Sequence, residues 1–154
     1  MRVLVDTSIW SLALRRAKED ASDISRELES LIADHRVVII GPIRQELLSG
    51  IRSGSQFDNL KKRLAAFPDE LIASEDYEEA ARIFNICRQK GIQGSNTDFL
   101  ICAVAKRRQF EIFTIDKDFT LFSEVVAIML YKMEKIKQAR ELDPNRDHLL
   151  RSGN

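Results

Sequence analysis

Asp6, Glu46, Asp98 and Asp116 are the residues whose type and placement suit catalysis. Asp6 ends the apolar run Val3–Val5, and Asp116 ends the apolar run Ile112–Ile115 in the same way. An ionised carboxylate at the end of a buried strand is costly unless it is paired, caps a helix or holds a metal. Taken singly, each acid has a plainer explanation. Asp6 or Ser8 can cap the helix that follows. Asp98 stands three residues after Ser95, the spacing of a capping box. Glu46, one turn into a helix opened by Pro42, can be an ordinary exposed charge. Taken together, carboxylates gathered in one crevice repel each other, and a divalent cation relieves that repulsion. Ligands that are all oxygen point to Mg²⁺ or Mn²⁺. Such ions activate water and stabilise in-line displacement at phosphorus.

The elements that must position these acids follow from hydrophobic pattern. Val3–Val5 lacks alternation, as a strand buried on both faces does. Val37–Ile40, a short Leu71–Ala73, Ile112–Ile115 and Val125–Leu130 are the other predicted strands. Helical spacing runs through Ile9, Trp10, Ala13 and Leu14, and again over Ser22–Asp34. A third helix begins at Pro42, carries Ile43, Leu47 and Ile51, and is ended by Gly50 and Gly54. Phe57, Leu60 and Leu64 mark a fourth, stopped at Phe67–Pro68. Ala80, Ile83, Phe84 and Cys87 line a fifth, ending near Gly91. Ser95–Arg108 is apolar nearly all round at Phe99–Ala105, so it is predicted to be deeply packed. Strands alternating with helices predict an α/β domain with a mainly parallel sheet. Sites in such sheets form beyond the carboxyl ends of strands, where strand order reverses. If the first and fourth strands are neighbours, Asp6 and Asp116 face one crevice.

The chain has 154 residues, enough for one domain with a sizeable core. Lys+Arg 24 balances Asp+Glu 24, so net charge exerts no global pull toward nucleic acid or membrane. Basic residues cluster at Arg15–Arg16–Lys18, Lys61–Lys62–Arg63 and Lys106–Arg107–Arg108, each near a predicted helix end. They suit solvation and the helix dipole, or together a phosphate-binding rim. Cys87 and Cys102 lie on apolar helix faces, as buried free thiols in a reducing compartment do. No segment is long and apolar enough to span a membrane, and no signal peptide is evident, which predicts a cytoplasmic protein. His35 and His148 lie outside every motif, which argues against a Ser–His triad. Neither a Walker A loop nor a dinucleotide glycine fingerprint occurs.

VLVDTS near the start, an acid in the Pro42 helix, NTDFLICAVA and FTIDKDF together resemble a PIN domain. Within that superfamily the chain is similar to VapC-type toxins of toxin–antitoxin pairs. The resemblance covers residues 1–131; residues 132–154 are a charged C-terminal extension with no counterpart in it. It implies a three-layer α/β/α sandwich whose central sheet has about five strands in the order 3-2-1-4-5. It implies a catalytic quartet of Asp6, Glu46, Asp98 and Asp116, with Mg²⁺ or Mn²⁺ held by Asp6, Asp98 and Asp116. Thr7 and Thr114 would be neighbouring hydroxyls that orient the quartet, and Asn96 and Asp118 further supporting positions. The implied activity is metal-dependent endonucleolytic cleavage of RNA, in a homodimer whose active site an antitoxin protein covers. Two other classes stay open. A non-catalytic PIN-like domain that binds RNA or a partner is disfavoured because all four acids are present. A phosphate-handling α/β domain fits less well: a phosphatase wants a second Asp where Ser8 stands, and a receiver wants an acidic pair where Asp6 stands alone.

Overall fold

Val3, Leu4 and Val5 have no exposed surface, so both faces of this strand are covered, as its unbroken apolar pattern predicts. In the computed structural model, which describes residues 1–15 and 22–133, this strand is β1 (Val3–Val5). It lies inside a four-stranded sheet of order β2-β1-β3-β4, with β2 at Val37–Val38, β3 at Glu111–Phe113 and β4 at Met129–Leu130. Every pairing is parallel: Val3 opposes Val37 on one side and Glu111 on the other, and Glu111 opposes Met129 beyond. Parallel neighbours need crossovers, and helices supply them. These are α1 (Thr7–Arg15), α2 (Asp23–Ala33), α3 (Gly41–Leu48), α4 (Gly54–Leu64), α5 (Ser74–Gln89), α6 (Asn96–Arg108) and α7 (Asp118–Val125). The result is the expected α/β sandwich, and the strands that form keep the expected order.

The sheet has four strands rather than about five. Leu71–Ala73 does not pair. The chain there makes a single parallel bridge, Ile39 to Asp69, beside β2. Pro68 has no donor, and Leu71 is 84% exposed, so there is no buried face to hold a strand. The segment predicted as Val125–Leu130 shortens to Met129–Leu130, because α7 takes Val125. Phe119 and Phe122, one helical turn apart, carry α7 into the core. Gly94 leaves room for Phe122: a Cβ there would stand 2.6 Å from Phe122 Cζ and 2.8 Å from Phe99 Cζ. Gly54 opens α4 instead of ending α3. Ser53 caps it by accepting the Gln56 N–H, and Ile51 lies in the connecting loop.

Seven consecutive residues of α6, Phe99–Ala105, are buried. The basic cluster at its C-terminal end is not a phosphate rim. Arg107 and Arg108 pair with the buried carboxylate of Asp76, Arg108 also with Glu70, and Lys106 with Glu79. That end lies roughly 15 Å along the helix from Asp98. Residues 16–18 of the first basic cluster, and residues 134–154 of the C-terminal extension, lie outside the described residues. Cys87 and Cys102 are free and buried, and burial raises the pKa of both thiols. Beyond β4, the Tyr131 hydroxyl donates to Glu27 of α2. Among the described residues no helix is long and apolar enough to cross a membrane.

Candidate active site

The β1–β3 ladder continues one residue past β1, where the Asp6 N–H donates to Phe113 O at 2.9 Å. This sets Asp6, only 6% exposed, beside Thr114. Thr114 Oγ1 donates to Asp6 Oδ2 at 2.9 Å, and Ser8 Oγ donates to the same oxygen at 2.7 Å. Each hydroxyl in turn accepts a backbone N–H: Ile115 to Ser8 Oγ at 3.3 Å, Asp116 to Thr114 Oγ1 at 3.0 Å. The two hydroxyls thus tie the end of β1 to the end of β3 with every proton committed. Asp116 is held by its own turn, its Oδ1 accepting the Asp118 N–H at 2.9 Å. Glu46, on α3, is joined to the N-terminus of α1 by Thr7 Oγ1, which donates to its Oε2 at 2.6 Å.

Asp98 completes a capping box. Its Oδ2 accepts the Ser95 N–H at 3.0 Å, and its own N–H reaches Ser95 Oγ at 3.1 Å. The same carboxylate senses the others. Burial raises its pKa most, the Ser95 bonds lower it, and the like charges of Asp6 and Asp116 raise it further. The capping bond occupies Oδ2 and leaves Oδ1 without a hydrogen bond among the described residues.

A shared pattern runs through the four acids. Each has one oxygen fixed by a donor, while Asp6 Oδ1, Glu46 Oε1, Asp98 Oδ1 and Asp116 Oδ2 have no hydrogen-bond partner among the described residues. Among those residues no lysine, arginine or histidine pairs with any of them. Negative charge with no counter-cation suits a hard divalent ion. As the side chains stand, no three acid, histidine or cysteine groups among the described residues close around one point. Mg²⁺ does not require that, since it keeps several waters and takes one or two carboxylates plus substrate phosphates. The donor set fits.

The structure links Asp6, Thr114 and Asp116 by hydrogen bonds and joins Thr7, the residue after Asp6, to Glu46; among the described residues the Asp98 side chain bonds only Ser95, and it meets Asp6 and Asp116 through like charge. Asp118 contributes its backbone N–H, while its carboxylate is exposed. Asn96 is exposed at the start of α6 and lies along a groove with Tyr77 and Phe84, without a side-chain bond among the described residues. The sequence pattern presented Ser8 only as a helix cap; its role beside Asp6 depends on partners 106 and 107 positions away. The one local clue is a hydroxyl in the first helical turn after a strand-end acid.

No curated protein matches the chain in sequence. Solved structures do match in fold. A chain of FitAcB from Neisseria gonorrhoeae aligns with TM-score 0.67 and 20% identity, over 84% of this chain and 96% of that one. A chain of VapBC2 from Rickettsia felis, bound to a DNA fragment from its promoter, aligns with TM-score 0.69 and 18% identity, over 85% and 98%. A chain of VapBC-5 from Mycobacterium tuberculosis, a member of the VapBC family of toxin–antitoxin systems, gives 0.62 and 20%, over 86% and 100%. In sequence, residues 3–125 match the PIN domain family. That match takes in the whole described site, from Asp6 to Asp118, and the chain belongs to the PIN domain family.

Proposed function

We propose that the chain is a Mg²⁺- or Mn²⁺-dependent endoribonuclease, the VapC-type toxin of a toxin–antitoxin pair. The observation that carries this is the uncompensated acid cluster at the carboxyl ends of β1 and β3 in a PIN fold. Asp6, Asp98 and Asp116 would hold the ion, each through its unbonded oxygen. The ion supplies Lewis-acid polarisation of the phosphodiester and of the attacking water. The chain supplies placement. Ser8 and Thr114 fix Asp6 so that Oδ1 is the oxygen presented. Thr7 holds Glu46 by Oε2, leaving Oε1 at the exposed mouth to take a proton from water. The same acids repel RNA phosphates, so substrate binding as well as cleavage depends on the ion.

The partner reading follows from the same charge. A small antitoxin protein would inhibit by placing an arginine among the acids, where a guanidinium pairs bidentately with carboxylates. Similarity in fold to chains from FitAcB and VapBC structures supports such a partner. The protein would act as a homodimer in the cytoplasm, with residues 132–154 as an extension outside the nuclease unit. Purification from the native host should yield a small basic-tipped protein with the chain, and expression without it should slow growth. Absence of both effects would remove the toxin assignment.

The direct test is RNA cleavage by purified protein with Mg²⁺, with Mn²⁺ and with chelator. Cleavage should require the ion; cleavage indifferent to chelator would overturn the proposal. Ser8→Ala should weaken Mn²⁺ binding and cleavage by roughly 10–100-fold, the range for residues that orient metal ligands. It should cost about 1–2 kcal/mol in metal-free stability, since it removes a donor to a charged oxygen. Isothermal titration with Mn²⁺ beside a thermal melt measures both, and unchanged Mn²⁺ affinity would show that Ser8 only ties the strand ends together.

A further inference from the structure

Beside Glu46, the loop after α3 and the face of α4 enclose a cleft of about 610 Å³. Its lining includes Leu14 and Leu60, together with Gln56, Asn59 and Arg63. The last three stand at i, i+3 and i+7 of α4, one face of the helix. All three are exposed, and among the described residues their side chains make no hydrogen bond or ion pair. Gly50, with φ 82°, turns the loop away, and nothing lies within 4 Å of a Cβ placed on it, so the cleft stays open there. Glu46 belongs to both places: it takes the Thr7 hydroxyl bond on one side and lines the cleft on the other. Whatever occupies the cleft therefore lies beside Glu46.

We propose that this cleft is the base-reading subsite for single-stranded RNA, in which Gln56 and Asn59 hydrogen-bond the edge of a base beside the cleaved bond and Arg63 holds a flanking phosphate. The inference rests on the nuclease reading and deepens it. The chemistry fits at each point. Apolar side chains accept a base face, side-chain amides offer both donors and acceptors to a base edge, and a guanidinium pairs with phosphate. The volume falls within the roughly 300–1,000 Å³ of clefts that hold small ligands. An apolar side chain placed against Gln56 and Asn59 would leave their amides without partners, whereas a base edge pairs with both.

The test uses the full chain with Mn²⁺ on a random-sequence single-stranded RNA, the fragment ends being sequenced. The variants are the double substitution Gln56→Ala with Asn59→Ala, the single Asn59→Asp, and Arg63→Ala; all three positions are exposed, so the fold should survive. A second arm measures polarisation of a labelled oligoribonucleotide with Ca²⁺ in place of Mn²⁺, across a salt series. The double variant should flatten base preference at one position beside the cut and lower kcat/KM on the preferred sequence about tenfold. Asn59→Asp should change which base is preferred there. Arg63→Ala should raise KM for all sequences alike and reduce the salt slope of binding by roughly 0.7, one phosphate contact on a single strand. Cleavage by every variant with the parent's base preference and KM would overturn the subsite and leave the nuclease intact. A parent chain that binds RNA but does not cleave it would overturn the nuclease reading, and the polarisation arm then decides the subsite alone. Variants with unchanged RNA binding but weakened binding of a co-expressed protein partner would assign the cleft to that protein and overturn the inference.

Discussion

Asp98→Asn should cleave RNA at least roughly 10²-fold more slowly than the parent chain, yet melt no earlier without metal. The loss follows from removing one of three charged oxygens proposed for the ion; several kcal/mol of charge stabilisation in the transition state goes with it. The stability expectation comes from the capping geometry. Asparagine keeps a carbonyl oxygen that can accept the Ser95 N–H, so the box survives. The substitution forfeits a negative charge near a helix N-terminus, worth about 0.3–1 kcal/mol. It also removes repulsion from Asp6 and Asp116. The sign can be worked through. Burial and like charge raise the Asp98 pKa in the folded chain, so the fold prefers the protonated form. Its contribution is fully present below the unfolded pKa and declines as pH rises through the folded value. At neutral pH the ionised group is a cost, which asparagine removes. Stabilisation by added Mn²⁺ should shrink, because an ion that binds only the folded state stabilises in proportion to its affinity. Asp98→Ala, lacking the acceptor, should lose roughly 0.5–2 kcal/mol as well. Thermal melts with and without Mn²⁺, beside cleavage rates for the three proteins, settle the matter. Near-normal cleavage by Asp98→Asn with a full Mn²⁺ shift would leave Asp98 as a cap and nothing more.

The site was legible where local pattern determines position. An apolar run that stops at an acid places that acid at a strand end, and twice over, at Asp6 and Asp116, this was enough. The adjacency of β1 and β3 then follows from crossover topology. Ser95 and Asp98 announced a capping box, but sequence posed cap and cluster as rivals, whereas the box uses one carboxylate oxygen and leaves the other available. What stayed hidden depends on distant partners. Ser8 joins the ends of β1 and β3 because residues 114 and 115 arrive beside it. Gln56, Asn59 and Arg63 read, in sequence, like any solvated helix face; only the neighbouring loop and Glu46 make that face the wall of a cleft.

In the fold, the errors are of one kind: short apolar stretches whose state is set by what packs on them. Leu71–Ala73 has strand composition but no buried face. Val125 belongs to a helix because Phe119 and Phe122 are buried on its face, Phe122 over Gly94, a contact between residues far apart in sequence. Gly54 was ambiguous between ending one helix and opening the next, and the Ser53 cap decides it. The Lys106–Arg108 cluster misled most, since basic residues in the last turn of a helix look solvated until their acids are located.

Those acids give the largest stability effect expected of the molecule. Asp76→Ala should cost roughly 3–5 kcal/mol, as removing one partner of a buried ion pair does. Asp76 has no exposed surface, and its carboxylate accepts from Arg107, from two nitrogens of Arg108 at 2.7 and 2.9 Å, and from the Ala73 N–H at 2.8 Å. Alanine there leaves two guanidinium groups short of a partner and uncaps α5. At about 2–4 °C per kcal/mol for a chain this size, the melting temperature should fall by roughly 6–20 °C. The pH dependence has a definite sign. The Arg108 hydrogen bonds, with those from Ala73 and Arg107, outweigh burial and hold the Asp76 carboxyl far below the ordinary carboxylate range. Its stabilisation is therefore present above the unfolded pKa and is lost as pH falls through the folded value. Glu79, lowered chiefly by its bond from Lys106, adds to the same acid-side loss. Asp76→Asn should accordingly destabilise at pH 7 and flatten the decline of stability below about pH 4. Because this network sits at the end of α6 remote from Asp98, cleavage per folded molecule at low temperature should stay near the parent's. Thermal melts of parent, Asp76→Asn and Asp76→Ala at pH 7, 4 and 3 measure the effect; an Asp76→Ala melt within about 2 °C of the parent at pH 7 would show that the network contributes nothing net.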